Sequence, residues 1–172
     1  MTEIKDLKDL FLHEIQVMWS AEKLLVDAIP KMIDKAHNLG LKKNLALHLA
    51  ETQQHLVAME YIAKQFNIPP DGDFNNGIQG IIDEANAVMN KDATAEAMDA
   101  AIIAGVQKVE HYEISGYGSA ATYADMLGHT AIAAKLRSIL EEEQQADTKL
   151  NFLAKSLINE RALAVLQLKF AA

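Results

Sequence analysis

The chain contains no cysteine, which excludes disulfides, thiolate zinc sites, iron–sulfur clusters and cysteine nucleophiles. Proline is scarce, with three residues in 172, and aromatic side chains make up 6% of a chain whose apolar fraction is 50%. So few breakers and rings, beside abundant alanine, predict helices packed closely through small side chains. Basic residues are outnumbered by acidic ones, giving a formal net charge of −8 and a pI near 5.2. Nucleic acid and anionic membranes are recognised through basic patches, so neither is expected as a partner. No apolar run is long enough to span a bilayer. The opening MTEIKDLKDLF is amphipathic and lacks the apolar stretch of a signal peptide, so a cytoplasmic location is expected.

No stretch alternates apolar and polar residues with period two, so no sheet is expected. Four stretches carry apolar residues at helical spacing. The first covers 3–36, with Thr2 as its N-cap, Gly40 beyond its end, and Pro30 inside as a kink or break. The second covers 41–66 and stops before the turn-rich NIPPDGDFNNGIQG. A short helix over 81–89 follows. The third begins after Asp92 or Thr94 and ends before Gly128; the fourth covers 129–158, and RALAVLQLKF closes the chain. Short loops at Gly40 and Gly128 define two antiparallel hairpins, 3–66 and 94–158. The connection 67–93 can cross the length of a bundle. The expected fold is all-α: one domain over 1–172, a ferritin-like four-helix bundle with a long crossover connection and a short C-terminal helix in 159–172.

The segment ILEEEQQAD, residues 139–147, holds four acids, and helical phase separates them. Counting from Ile139, Glu143 falls at about 40° and Asp147 at about 80°, inside the arc of Ile132, Leu136, Leu140 and Leu150. Glu141 falls opposite and Glu142 on the margin. On the third helix, Glu110 and Glu113 lie within the arc of Ile102, Val106, Val109, Ala120 and Ala124. On the second, His55 lies among Leu49, Met59, Ile62 and Phe66, with Glu51 at the edge. On the first, Glu14 and Glu22 share the face of Leu7, Met18, Ala21 and Leu25. Distance from the two loops puts Glu22, Glu51, His55, Glu113, Glu143 and Asp147 at one level; Glu14 falls roughly 12 Å away along the axis, at the rim.

An unpaired buried carboxylate costs several kcal/mol, and no Lys or Arg lies within these arcs. Two divalent ions would nearly neutralise the five carboxylates, and oxygen-rich ligation with one imidazole suits iron or manganese. Two metal ions, iron first and manganese second, are the expected cofactors. His13, His37, His48, His111 and His129 are expected at the surface or at helix ends, and Tyr61 and Tyr112 outside. Tyr117 and Tyr123 read as core, with a place beside a redox centre as the alternative. The run SGYGSAA suits close helix packing, and Met18, Met32, Met59, Met89 and Met98 suit core filling. Trp19 points away from the apolar arc of the first helix, and such surface predicts a homo-oligomer, specifically a dimer.

The acids and histidine resemble the ferritin-like superfamily, in which four helices surround a di-iron or di-manganese site. More narrowly, LFLHEIQVMWSAEKLLVDAIPKM, HLAETQQH and KVEHYEISGYGSAATYADMLG resemble the YciE/YciF family of bacterial ferritin-like proteins, over residues 4–157. The resemblance implies a part in the bacterial stress response. Glu110 and Glu113 look like the paired acids of rubrerythrin's third helix, so Glu110 joins the candidate ligands, either as an alternate ligand or as a residue standing behind the ligands. Two departures stand out: Glu51 and His55 are spaced by four rather than three, and Asp147 stands where a second histidine is usual, which predicts one labile ion. The cysteine-bound iron domain of rubrerythrins is missing, so a peroxidase of that kind would need an external electron donor.

The functional expectation is a di-metal carboxylate protein that reacts with peroxide or dioxygen, as a peroxidase, catalase or ferroxidase-type oxidoreductase, with Glu51 and Glu143 as bridging carboxylates. The alternatives are iron storage, which needs a hollow assembly of many subunits, and a structural stress protein with an empty metal site.

Overall fold

Apolar side chains at alternating spacings of three and four build this molecule, and helices are the only regular elements among the described residues. The computed structural model describes residues 3–69 and 74–171, without the side chains of 168–171. In order they form α1 (Leu7–Lys35), α2 (Leu39–Gln65), α3 (Asn76–Met89), α4 (Ala95–Met126), α5 (Thr130–Leu153), a π-helical turn (Ala154–Ile158) and α6 (Asn159–Ala171). None of them is long and apolar enough to cross a membrane.

Side chains, more than glycines, set the helix starts. Asp6 accepts a hydrogen bond from the Asp9 backbone N–H and so caps α1, satisfying one of the donors that a helix N-terminus leaves orphaned. The expected cap, Thr2, lies outside the described residues, and the helix begins a turn later than the apolar pattern implied. Pro30 does not split α1, which runs on to Lys35. Asn38 caps α2 through the Leu41 N–H, so Gly40 lies inside the first turn of α2 and not in the loop. Asp99 of α4 holds that loop from outside: its carboxylate oxygens accept from the backbone N–H groups of His37 at 2.6 Å and Asn38 at 2.9 Å. At the other hairpin, Gly128 adopts φ 81°, with Gly128 N–H bonded to Asp125 O and His129 N–H to Ala124 O. That pair of bonds is the Schellman ending of α4, and it needs the left-handed residue that glycine supplies.

α1 packs on α2 and α4 on α5, and the two hairpins meet through α1 with α4 and α2 with α5. The result is a four-helix bundle with one long crossover. α3, one turn longer at its start than expected, lies in that crossover against α4 and α1. Buried Asn75 fixes it there. Its Oδ1 caps Ile78 N–H, its Nδ2 donates to Val17 O, and its own N–H donates to Ser20 Oγ.

Trp19 is buried, not outside: α1 is packed by α3 as well as by α2 and α4, so more of its surface is covered than the arc read from sequence. Large apolar side chains stand exposed instead at Val57, Tyr61 and Phe152. Gly116 shows why SGYGSAA is small: a Cβ there would collide with Sδ of buried Met18. The fourth helix does not reach Ile158 as one regular α-helix. A π turn intervenes and changes the phase of α6, while Ala154 and Ile158 remain buried. Phe11, Phe66 and His129 meet at one end of the bundle, with ring centroids 5.1–6.1 Å apart, Phe11 stacked on His129 and Phe66 edge-on to both.

Candidate metal centre

Each long helix lays its most buried side chains along one seam. On α1 the seam reads Phe11, Ile15, Met18, Glu22, Leu25, Ile29, Met32; on α2 it reads Leu41, Leu45, His48, Thr52, His55, Met59, Ile62. On α4 it includes Val106, Glu110, Glu113, Tyr117 and Ala120, and on α5 Leu136, Ile139, Glu143, Ala146 and Leu150. The polar members of the four seams meet at one level inside the bundle. Glu22 and Glu110 are wholly buried, Glu113, Glu143 and His55 are 1% exposed, and His48 is 5% exposed.

Their donor atoms form two overlapping sets. His48, Glu110, Glu113 and Glu143 make one; Glu22, His55 and Glu143 make the other, with ligand atoms in each set within 4.8 Å of one another. Glu143 belongs to both. Its Oε1 lies 2.9 Å from His55 Nδ1 and its Oε2 3.9 Å from His48 Nδ1, while His48 Nε2 lies 3.2 Å from Glu110 Oε1. Both oxygens of Glu110, Glu113 and Glu143, both nitrogens of His48, Glu22 Oε2 and His55 Nδ1 are buried without a hydrogen-bond partner. Buried polar atoms are nearly always satisfied in folded proteins, and among the described buried residues no Lys or Arg is present to pair with them. Oxygen donors around two imidazoles fit a hard or borderline divalent ion, so the chemistry and spacing of the site suit metal ions.

Without metal, protons take up part of the charge. Burial pushes the Glu22 carboxyl up to about 8, helped by the neighbouring Glu143 charge and against the pull of His55. Burial also holds Glu110 and Glu113 well above the usual carboxyl range, reinforced by Glu143. Burial acts to lower His55, but Glu143 and Glu22 outweigh it and raise the imidazole to about 9. Glu143 is the exception: burial would raise it, yet the adjacent imidazoles hold it below the ordinary value. It is the one member of the cluster poised as an anion. His48 is lowered, mainly by burial, and so favours its neutral, ligand-competent form.

Of the residues singled out from sequence, the structure brings Glu22, His55, Glu110, Glu113 and Glu143 together. Glu51 and Asp147 stand outside. Glu51 is half-buried beside Lys149 at a small opening between α2 and α5, and Asp147 accepts a hydrogen bond from Gln107 at 2.9 Å. Glu14 is also half-buried and outside the sets. His48, expected at the surface or a helix end, is inside, and it brings a second imidazole to the cluster from α2, whereas Asp147 stays outside. The signal was present: His48 and His55 occupy the three–four seam of α2, whereas Glu51 does not. Tyr117 is buried as core, yet its hydroxyl donates to Glu22 Oε1 and its ring lies edge-on to His55 at 6.4 Å, so it also borders the cluster. Tyr112 is not fully outside but half-buried against Gly77 of α3. His37 and His111 are exposed, and His129 stands at the start of α5, as expected.

The family described as Domain of unknown function (DUF892) matches residues 6–163. Protein YciF of Escherichia coli is 36% identical over 160 residues, covering 92% of this chain and 96% of that protein. The crystal structure of the E. coli stress protein YciF superimposes with a TM-score of 0.85 at 36% identity, covering 91% of this chain and 99% of that one. YcfI of Rhodopseudomonas palustris, described as a candidate structural protein, superimposes with a TM-score of 0.83 at 39% identity, covering 87% and 96%. With similarity of this extent over sequence and bundle alike, the chain belongs to the YciF family of bacterial proteins, which carries the DUF892 domain.

Proposed function

We propose that this chain is a ferritin-like di-metal carboxylate protein of the bacterial stress response that reacts with peroxide or dioxygen as an oxidoreductase in the cytoplasm. The observation that carries the reading is the place of Glu143, a buried carboxylate shared by two sets of donors, each with buried atoms that lack a hydrogen-bond partner. Glu22 and His55 would hold one ion, and His48, Glu110 and Glu113 the other, with Glu143 between them. Iron or manganese bound there would supply the change of oxidation state that the amino acids alone lack. The bundle's contribution is exclusion of bulk water and a fixed cage of carboxylates, which is electrostatic preorganisation. Tyr117 donates to Oε1 of Glu22, the oxygen 3.7 Å from His55 Nδ1, and leaves Oε2 buried without a partner. With no cysteine in the chain, electrons would come from an external donor. The stress association of the E. coli relative supports this reading. The description of the R. palustris relative as structural favours, as second reading, a structural stress protein with an empty site.

The test compares protein loaded with iron or manganese against the same protein stripped by a chelator. Peroxide consumption should follow metal occupancy, resist thiol reagents, and stall without added reductant if peroxidatic or proceed with oxygen release if catalatic. Loaded protein inert to both peroxide and dioxygen excludes the oxidoreductase reading. Sedimentation then separates what remains: a hollow assembly of many subunits points to iron storage, whereas a dimer points to structure.

A further inference from the structure

The two donor sets are unequal in what stands behind them. Behind Glu22 is the buried Tyr117 hydroxyl, donating to Oε1 and leaving Oε2 without a partner. Behind His55 is Glu142, whose Oε2 lies 2.6 Å from Nε2. A carboxylate accepts and does not donate when ionised, so Glu142 places a proton on Nε2 and reserves Nδ1 for the cluster. Nδ1 is also the ring nitrogen nearer Glu143 and Glu22, at 2.9 and 3.7 Å. His48, Glu110 and Glu113 have no such support: both side-chain N or O atoms of each are buried without a hydrogen-bond partner.

We infer that Tyr117 and Glu142 are positioning residues that make the Glu22–His55–Glu143 position the tight one, filled first, and leave the His48–Glu110–Glu113 position the weaker, exchangeable one. The inference rests on the di-metal reading and goes beyond it, since that reading is silent on order. The physical ground is general. A ligand whose orientation and tautomer are already fixed loses less freedom on binding, and removing such a partner typically lowers metal affinity 10–100-fold. Glu142 is suited to the role by its place on the rim, with its side chain 38% exposed. Its side chain stays in contact with water while its oxygen reaches the buried ring.

The test is calorimetric addition of Co(II) to metal-free protein, followed in parallel by the visible spectrum of the bound ion. Wild type should bind in two resolved steps. Tyr117→Phe and Glu142→Ala should each weaken the first step by about 10- to 100-fold, alter the spectrum of the first ion, and leave the second step in place. Glu142→Gln, which retains an acceptor oxygen, should recover much of the Glu142→Ala loss. His48→Ala should abolish the second step and leave the spectrum of the first ion intact. Thermal unfolding of the metal-free variants checks that each is folded. Equal affinity for the two wild-type ions, or variants that weaken neither step or both alike, overturns the inference while the di-metal reading stands. Wild type that takes up no cobalt, iron or manganese overturns both.

Discussion

At the scale of single residues, the choice between His48 and Glu51 is decisive, because they lie one turn apart on α2 and only one enters the cluster. His48 is 5% exposed with two unpartnered nitrogens, whereas Glu51 stands half-buried beside Lys149. His48→Ala should therefore lower the metal content of purified protein, measured by elemental analysis, and Glu51→Ala should leave it close to wild type. The reverse result would place Glu51 among the ligands and His48 behind it. The same residues show how legible the site is in sequence. Helical phase puts Glu22, His55, Glu110, Glu113 and Glu143 on the inner faces, and the structure brings these five together. Phase also takes in Glu51 and Asp147 and leaves out His48, because a broad arc at ~100° per residue does not distinguish a seam from its margins. The stricter three–four spacing does so: it passes through Glu22, His48, His55, Glu110, Glu113, Tyr117 and Glu143 and misses Glu14, Glu51 and Asp147. The Tyr117 and Glu142 contacts were beyond the reach of phase, since each depends on a neighbouring helix.

At the scale of elements, the α1–α2 loop depends on a residue distant in sequence. Asp99 accepts two backbone N–H groups there, and both would lose their charged acceptor in Asp99→Ala. Hydrogen bonds to charged groups contribute about 1.5–3 kcal/mol each, with less where water can substitute, so a net loss of about 2–3 kcal/mol is expected. Urea unfolding checks it. A loss below about 0.5 kcal/mol, the level of an ordinary surface change, would mean that the loop holds itself. Helix existence, the crossover and the Gly128 ending were legible because periodicity and left-handed glycine are local properties. The start of α2 at Leu39 follows from the Asn38 cap, a local signal that the broad apolar pattern passes over. The π turn at Ala154–Ile158 has no signal in the apolar pattern, and the burial of Trp19 depends on helices that adjoin only in the folded chain.

At the scale of the whole molecule, the buried cluster links stability, pH and metal. Glu22 sits at about 8 against an ordinary 4.5, and His55 at about 9 against 6.5. A group raised on folding contributes stability that is present below its unfolded value and lost as pH rises through its folded value. Both groups therefore make metal-free protein less stable as pH rises from 6.5 through 8, and raised Glu110 and Glu113 act in the same direction. Lowered His48 opposes them mainly below 6.5. Metal ions bound at the cluster would displace these protons, so the gap in melting temperature between loaded and chelated protein should widen over the same range. A gap that narrows would mean that the cluster is not where the metal acts. The central claim, that this cluster is a two-ion site bridged by Glu143, is tested most directly by the metal content of wild type, Glu143→Ala and the outward-facing Glu141→Ala, all purified without added chelator. The account predicts about two ions per chain in wild type and Glu141→Ala, and loss of at least one in Glu143→Ala. Equal metal content in all three, or none in any, would contradict it.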